Sequence, residues 1–236
     1  MTTPTTQPQD NSDPFSLFHG NILPTLRTFI DEAATPEAHP RILPLIKHEH
    51  AELQSSSHKI LISVSSDEQT RYQNQFTWKL ARHLIGEELI VYPAIDKHVR
   101  GGEVLTERNR AEHQEIKQQL KAFQGLTCTD PRFAPTLEAL LGDLQIHMRR
   151  EEEEDLVILE RVLPEEDSQA LVASLVKMNK FLPSRSHPLA PSKPPLETAV
   201  GLLTTPVDMI ADLFRKWPHV GEDTRKGNKH FAAARS

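Results

Sequence analysis

Cysteine is almost missing from this chain: Cys128 stands alone among 236 residues. No intrachain disulfide can form from it, and no thiolate cluster is available to a metal, so any bound cation must be held by nitrogen and oxygen. Long hydrophobic runs are also missing. Nothing approaches the roughly 18 to 20 apolar residues that a spanning helix needs, so no membrane span is expected. The opening MTTPTTQPQDNSDP lacks the apolar stretch of a secretory signal. Positive charge is not clustered either: 27 basic residues are interspersed among 33 acidic ones, for a net charge of −6. That distribution speaks against nucleic-acid partners and against a polybasic membrane anchor. No Ser-His-Asp or Cys-His arrangement, glycine-rich phosphate loop or zinc-finger spacing is visible, which gives hydrolase and nucleotide-binding readings little weight. With 37% hydrophobic and 25% charged residues, the chain reads as an ordinary cytoplasmic globular protein with one domain and tails.

What the chain does have is a repeat built around histidine. His50 sits in KHEHAEL and His113 in RAEHQEI, 63 residues apart; His83 sits in LARHLIGEE and His147 in LQIHMRREE, 64 apart. The first pair shares basic-x-Glu-His-x-Glu-aliphatic, the second Leu-x-x-His-x-x-x-Glu-Glu. Two helical hairpins, each carrying one histidine and then one histidine with a carboxylate, account for both offsets.

Apolar spacing predicts an all-α fold. Residues 1–13 read as a disordered arm, followed by a domain over 14–181, a Pro-rich linker over 182–197, and a C-terminal amphipathic segment and tail over 198–236. A short leading helix is expected from Phe15 to about Ile30, interrupted near Gly20 and Pro24. The first long helix should run from Pro40 to about Val64 on a stripe of Leu43, Ile46, His50, Leu53, Ser57, Ile60 and Val64. The second should run from Asp67 to Val99, through Tyr72, Phe76, Leu80, His83, Glu87, Ile90, Val91 and Ala94, with Pro93 as a potential kink and Gly101-Gly102 as the stop. The third covers Glu103 to Gln124 on Thr106, Asn109, His113, Ile116, Leu120 and Phe123. The fourth ends near Leu163, its inner face comprising Leu137, Leu140, Leu144, His147, Glu151, Ile158 and Val162. A shorter helix from Glu165 to Phe181 is expected to pack outside on Leu171, Leu175 and Val176, and the amphipathic run 198–217 to dock on the bundle or on a protein partner.

An imidazole and a carboxylate four residues apart lie on one helix face about one 5.4 Å turn apart. His83 with Glu87 and His147 with Glu151 meet that condition. Glu88 and Glu152, one position further, are rotated about 140° from their histidines and should reach the centre less easily. His48, two residues from His50, should face outward. A lone histidine on an apolar stripe is most often a hydrogen-bonded core residue. Four of them in register with two carboxylates are hard to keep in a core without a cation, because each buried unpaired carboxylate costs several kcal/mol. Most acids of the run Glu151–Asp155 should form a solvated face. His19, His39, His58, His98, His187, His219 and His230 have no partner in register and read as surface residues.

These motifs resemble the hemerythrin-like, or HHE cation-binding, domains over about residues 40–163. The resemblance implies an up-and-down four-helix bundle, with extra short N- and C-terminal helices, around a non-haem di-iron centre. Its metal ligands would be His50, His83, Glu87, His113, His147 and Glu151. Oxygen-carrying hemerythrins place two histidines four apart in helix three; here His113 is flanked at that distance by Asn109 and Lys117. The inventory of four histidines and two glutamates resembles the iron-sensing relatives instead, and the departure speaks against reversible oxygen carriage. In the carriers the last helix uses the carboxylate five after its histidine, which keeps Glu152 open as a rival to Glu151. Imidazole and carboxylate also suit manganese or zinc. Two octahedral ions offer about twelve positions, of which six residues fill at most about eight, so water or dioxygen could enter. Two functions remain open: binding or sensing iron or oxygen, and a di-iron oxidase or oxygenase acting on a small organic substrate.

Overall fold

The computed structural model describes residues 40–178, 185–186 and 215–218, and among them it is helical throughout, without strands. α1 spans Ile42–Ile62 and α2 Ser66–Gly86. A π turn, Glu87–Val91, carries α2 without a break into α3, Tyr92–His98. α4 spans Gly102–Gln124 and α5 Phe133–Arg150. A second π turn, Glu151–Asp155, leads into α6, Leu156–Val162, and α7 follows at Glu165–Met178. α1 packs along α2, α4 along α5, α2 against α4 and α1 against α6, while α7 lies against α1 and the first π turn.

Local chemistry fixes the ends of these rods. Ser65 caps α2 by accepting from the Glu68 amide at 3.1 Å, the start of a capping box. Arg41 reaches across to pair with Glu160 and donates to the carbonyls of Glu160 and Leu163 at 3.0 and 3.1 Å, satisfying the end of α6. The Ile42 amide donates to Ser168 Oγ at 2.9 Å, tying α1 to α7. Between α3 and α4, Gly101 takes φ 76°, and a Cβ on Gly102 would stand 2.3 Å from the Ile95 carbonyl oxygen. The Gly-Gly pair is thus required by both backbone handedness and close approach.

Below the histidines the rods close on an apolar core that includes Leu53, Ile60, Phe76, Leu80, Leu84, Leu120, Phe123, Leu137, Leu140 and Leu144. Phe123 meets Phe76 edge-on at 6.3 Å and Phe133 at 5.0 Å. Each such side chain contributes about 1.5–3 kcal/mol by burial, which leaves the rods stiff enough to hold polar groups at mid-height.

The stripes of the first three long helices largely match the expectation, and α4 matches at every position, from Thr106 to Phe123. Val64 lies past the end of α1 and is 98% exposed, and Leu43 is half-buried. Ile158 and Val162 face outward; Leu159 and Leu163, one residue later, are buried instead. The second π turn is the reason, since its five-residue closure from the Leu156 amide to the Glu151 carbonyl inserts one extra residue and rotates everything beyond it. In the second rod the same device leaves Ile90 half-buried and buries Val91, Tyr92, Ile95 and Val99. Pro93 falls in the first turn of α3, directly after the π turn, and the rod continues through it, with Arg110 donating to the Glu88 carbonyl at 3.3 Å. Asp155, expected among solvated acids, is buried and held by Arg108 at 2.7 Å and Asn109 at 2.9 Å.

In α7, Leu175 is buried as expected, while Leu171 and Val176 are half-buried and Ser168 and Val172 complete the inner face. Within the expected linker, Arg185 and Ser186 are buried against the helices: Arg185 donates to Asn74 at 3.0 Å, and the Ser186 amide to Gln124 at 3.1 Å. The Trp217 and Lys216 carbonyls accept from Arg71 and Asn74 at 2.6 and 3.0 Å. The remaining linker, the N-terminal arm, the leading helix, and the C-terminal segment before Arg215 lie outside the described residues. No helix among the described residues is long and apolar enough to cross a membrane.

Candidate metal centre

At mid-height four imidazoles and two carboxylates converge. His50 comes from α1, His83 from α2, His113 from α4 and His147 from α5; Glu87 and Glu151 open the two π turns. Two sets of donor atoms form, His50-His83-Glu87-Glu151 and Glu87-His113-His147-Glu151, each with all its ligand atoms within 4.8 Å of one another. Glu87 and Glu151 belong to both. His50 and His83 face each other through Nε2 at 3.1 Å, and His113 and His147 at 2.9 Å. Carboxylate oxygens lie 3.6 Å from His83 and 3.5 Å from His113 (Glu87), and 3.7 Å from His50 and 3.3 Å from His147 (Glu151). All six groups are 0–5% exposed.

The outward side of every imidazole is occupied as well. Nδ1 of His50 donates to Glu152 at 2.8 Å, that of His83 to Glu49 at 2.9 Å, that of His113 to Glu88 at 3.0 Å and that of His147 to Glu112 at 2.9 Å. An ionised carboxylate can only accept, so each Nδ1 carries a proton and Nε2 is the nitrogen that each ring turns inward. This is how metal-binding histidines are oriented. Lys117 pairs with Glu88, and Arg150 with Glu112.

Without a cation this arrangement is poorly balanced. Neutral rings would oppose lone pairs across 3.1 and 2.9 Å, and both oxygens of Glu87 and Oε2 of Glu151 are buried without a hydrogen-bond donor. The titration of the metal-free groups reflects this strain. Burial, and then Glu151 and the neighbouring carboxylates, push Glu87 well above the usual carboxylate range, whereas Glu151 is held far below it by His147, with His50 and His113 adding to that, despite burial. Burial lowers His113 to about 4. Burial opposes protonation of His147 too, yet Glu151 and Glu112 raise it to about 9. A proton on His147 and another on Glu87 thus partly stand in for positive charge. The donor set, four imidazole nitrogens and two shared carboxylates, fits two borderline or hard cations.

The sequence-expected residues His50, His83, Glu87, His113, His147 and Glu151 are all brought together. Glu152 sits instead on the outer nitrogen of His50. Glu88 does not join the donor sets but is fully buried on the back of His113. His48 stays out of both donor sets, as expected, and is half-buried; His58 is exposed and His98 half-buried. The orienting carboxylates Glu49 and Glu112 escaped the sequence reading, as did Tyr92 and Lys117. A signal for the carboxylates was present: Glu49 and Glu112 repeat with the same 63-residue offset as His50 and His113, and Glu88 and Glu152 with the 64-residue offset. Replacing Glu88 by glutamine should weaken metal binding about 10–100-fold. Competition against a chelator of known affinity checks this, and an unchanged affinity would remove Glu88 from the site.

A helical protein with a buried four-histidine, two-glutamate cluster is the class that fold and site define. The model of the hemerythrin HHE cation binding domain matches residues 37–159. An uncharacterised hemerythrin-like protein of Schizosaccharomyces pombe is 42% identical over 179 residues, covering 75% of this chain and 88% of the relative. No solved structure matches. The chain belongs to the hemerythrin HHE cation-binding family.

Proposed function

We propose that this protein holds two iron ions, one between His50 and His83 and one between His113 and His147, with Glu87 and Glu151 shared, inside an up-and-down four-helix bundle. The observation that carries the reading is the membership of both glutamates in both donor sets. Charge supports it. Six carboxylates surround the histidines, counting Glu49, Glu88, Glu112 and Glu152, against the cations Lys117, Arg150 and Lys47, the last 4.0 Å from Glu152. Bound cations would offset the negative charge left over. Bound iron would supply reversible electron transfer and open positions for a small ligand such as dioxygen.

The physiological role we infer is binding or sensing of iron or oxygen in the cytoplasm. Among the described residues the six groups are 0–5% exposed and present no open wall to an organic substrate, which favours this reading over an oxygenase. The test is to express the full chain with iron, manganese and zinc supplied equally and count the bound metals: about two irons per chain are expected, and two zincs or two manganese ions would overturn the choice of metal.

Acid should release the metal. A proton competes with the cation for the inward nitrogen of His147, whose metal-free value is raised to about 9. Apparent affinity therefore climbs with pH until about 9 and falls steadily below it. Affinity measured from pH 6 to 10 checks the sign; a flat profile would contradict it.

A further inference from the structure

Tyr92 is a group that the family match and the six-residue set leave without a role. It is 0% exposed, and its hydroxyl lies 2.7 Å from His113 Nε2 and 3.0 Å from Glu151 Oε1. A phenol has one proton. It can donate to Glu151 or to the imidazole, and whichever it leaves then faces the phenol oxygen across lone pairs at hydrogen-bond distance. Three acceptor atoms packed this closely make sense around a shared cation. The first π turn brings the ring there, since its extra residue turns Tyr92 toward the centre. The Arg110 guanidinium lies 5.2 Å from the ring centroid.

The repeat makes the two halves unequal here. Tyr92 stands five residues after Glu87, and the residue five after Glu151 is Leu156, equally buried but without a ligand atom. We propose that Tyr92 is a direct phenolate ligand of the cation held by His113 and His147, so that the position open to an outside ligand lies on the His50–His83 half. On coordination the phenol O–H bond breaks as the oxygen–metal bond forms. The proton leaves to bulk water and no electron is transferred.

This inference rests on the two-iron reading above and can fail separately from it. The probe is ferric iron bound to the full chain, read by metal analysis, visible absorption and resonance Raman. Wild type should hold about two irons and show a phenolate-to-iron band with ring vibrations of a coordinated tyrosine. The chain has two tyrosines, and the other, Tyr72, is buried in the apolar core. Tyr72→Phe should therefore keep the band, and Tyr92→Phe should lose it while retaining about two irons. Wild-type protein with two irons and no tyrosinate vibrations would overturn the proposal, whether or not the variants fold. So would a band that survives Tyr92→Phe. A chain that takes up no iron would sink the two-iron reading and this one with it.

Discussion

Replacing Glu87 by leucine should empty both halves of the centre while making the metal-free chain more stable than the metal-free wild type. Glu87 belongs to both donor sets, so its loss removes an oxygen from each cation and the bridge between them. A histidine such as His83 belongs to one set, and its replacement should spare the other half more. The stability change has the opposite sign from an ordinary core truncation. Both Glu87 oxygens are buried without a donor, and leucine has similar bulk and no desolvation cost. The gain should be about 1–3 kcal/mol. Urea unfolding in the presence of a chelator, together with metal analysis, checks both halves of this expectation. A variant that still holds two metals, or whose metal-free form is less stable than wild type, would show that Glu87 is a structural hydrogen-bonding residue.

Metal removal from the wild type should act in the other direction. A ligand that binds only the folded chain, at about a thousand times its dissociation constant, stabilises it by about 4 kcal/mol per site. For a domain of this size that corresponds to a shift of about 8–16 °C in melting temperature for one site alone. The physical source is local: the cation relieves opposed lone pairs and unpaired carboxylates that the apolar core beneath holds at fixed spacing. Thermal melts of anaerobic, ferrous-loaded protein against chelated protein measure it. Coincident melts would mean that the centre does not bind metal in the folded chain.

The residues that converge could be read from the sequence because they obey the helical period up to the centre. His83 and Glu87, like His147 and Glu151, are one turn apart in regular helix, and the 63- and 64-residue offsets tie the two hairpins together. The reading failed just beyond, where each rod takes its π turn. There Leu156, Leu159 and Leu163 compete with Ile158 and Val162 for the inner face, both sets are apolar, and hydropathy alone cannot choose between them. The first π turn hid Tyr92, whose place at the centre depends on the extra residue. Asp155 reads as a solvated acid and Glu88 as one turned away from the centre because their partners, Arg108 with Asn109 and His113 with Lys117, come from another helix, and no spacing along one rod reveals them. Glu49 and Glu112 were hidden differently: each neighbours a histidine in sequence yet orients the histidine of the next rod.

Anaerobic titration of the metal-free full chain with ferrous iron tests the central claim most directly. Two cations sharing Glu87 and Glu151 require saturation at about two irons per chain, and loss of that uptake in Glu87→Leu. Saturation below one iron per chain, or equal uptake by wild type and variant, would contradict it.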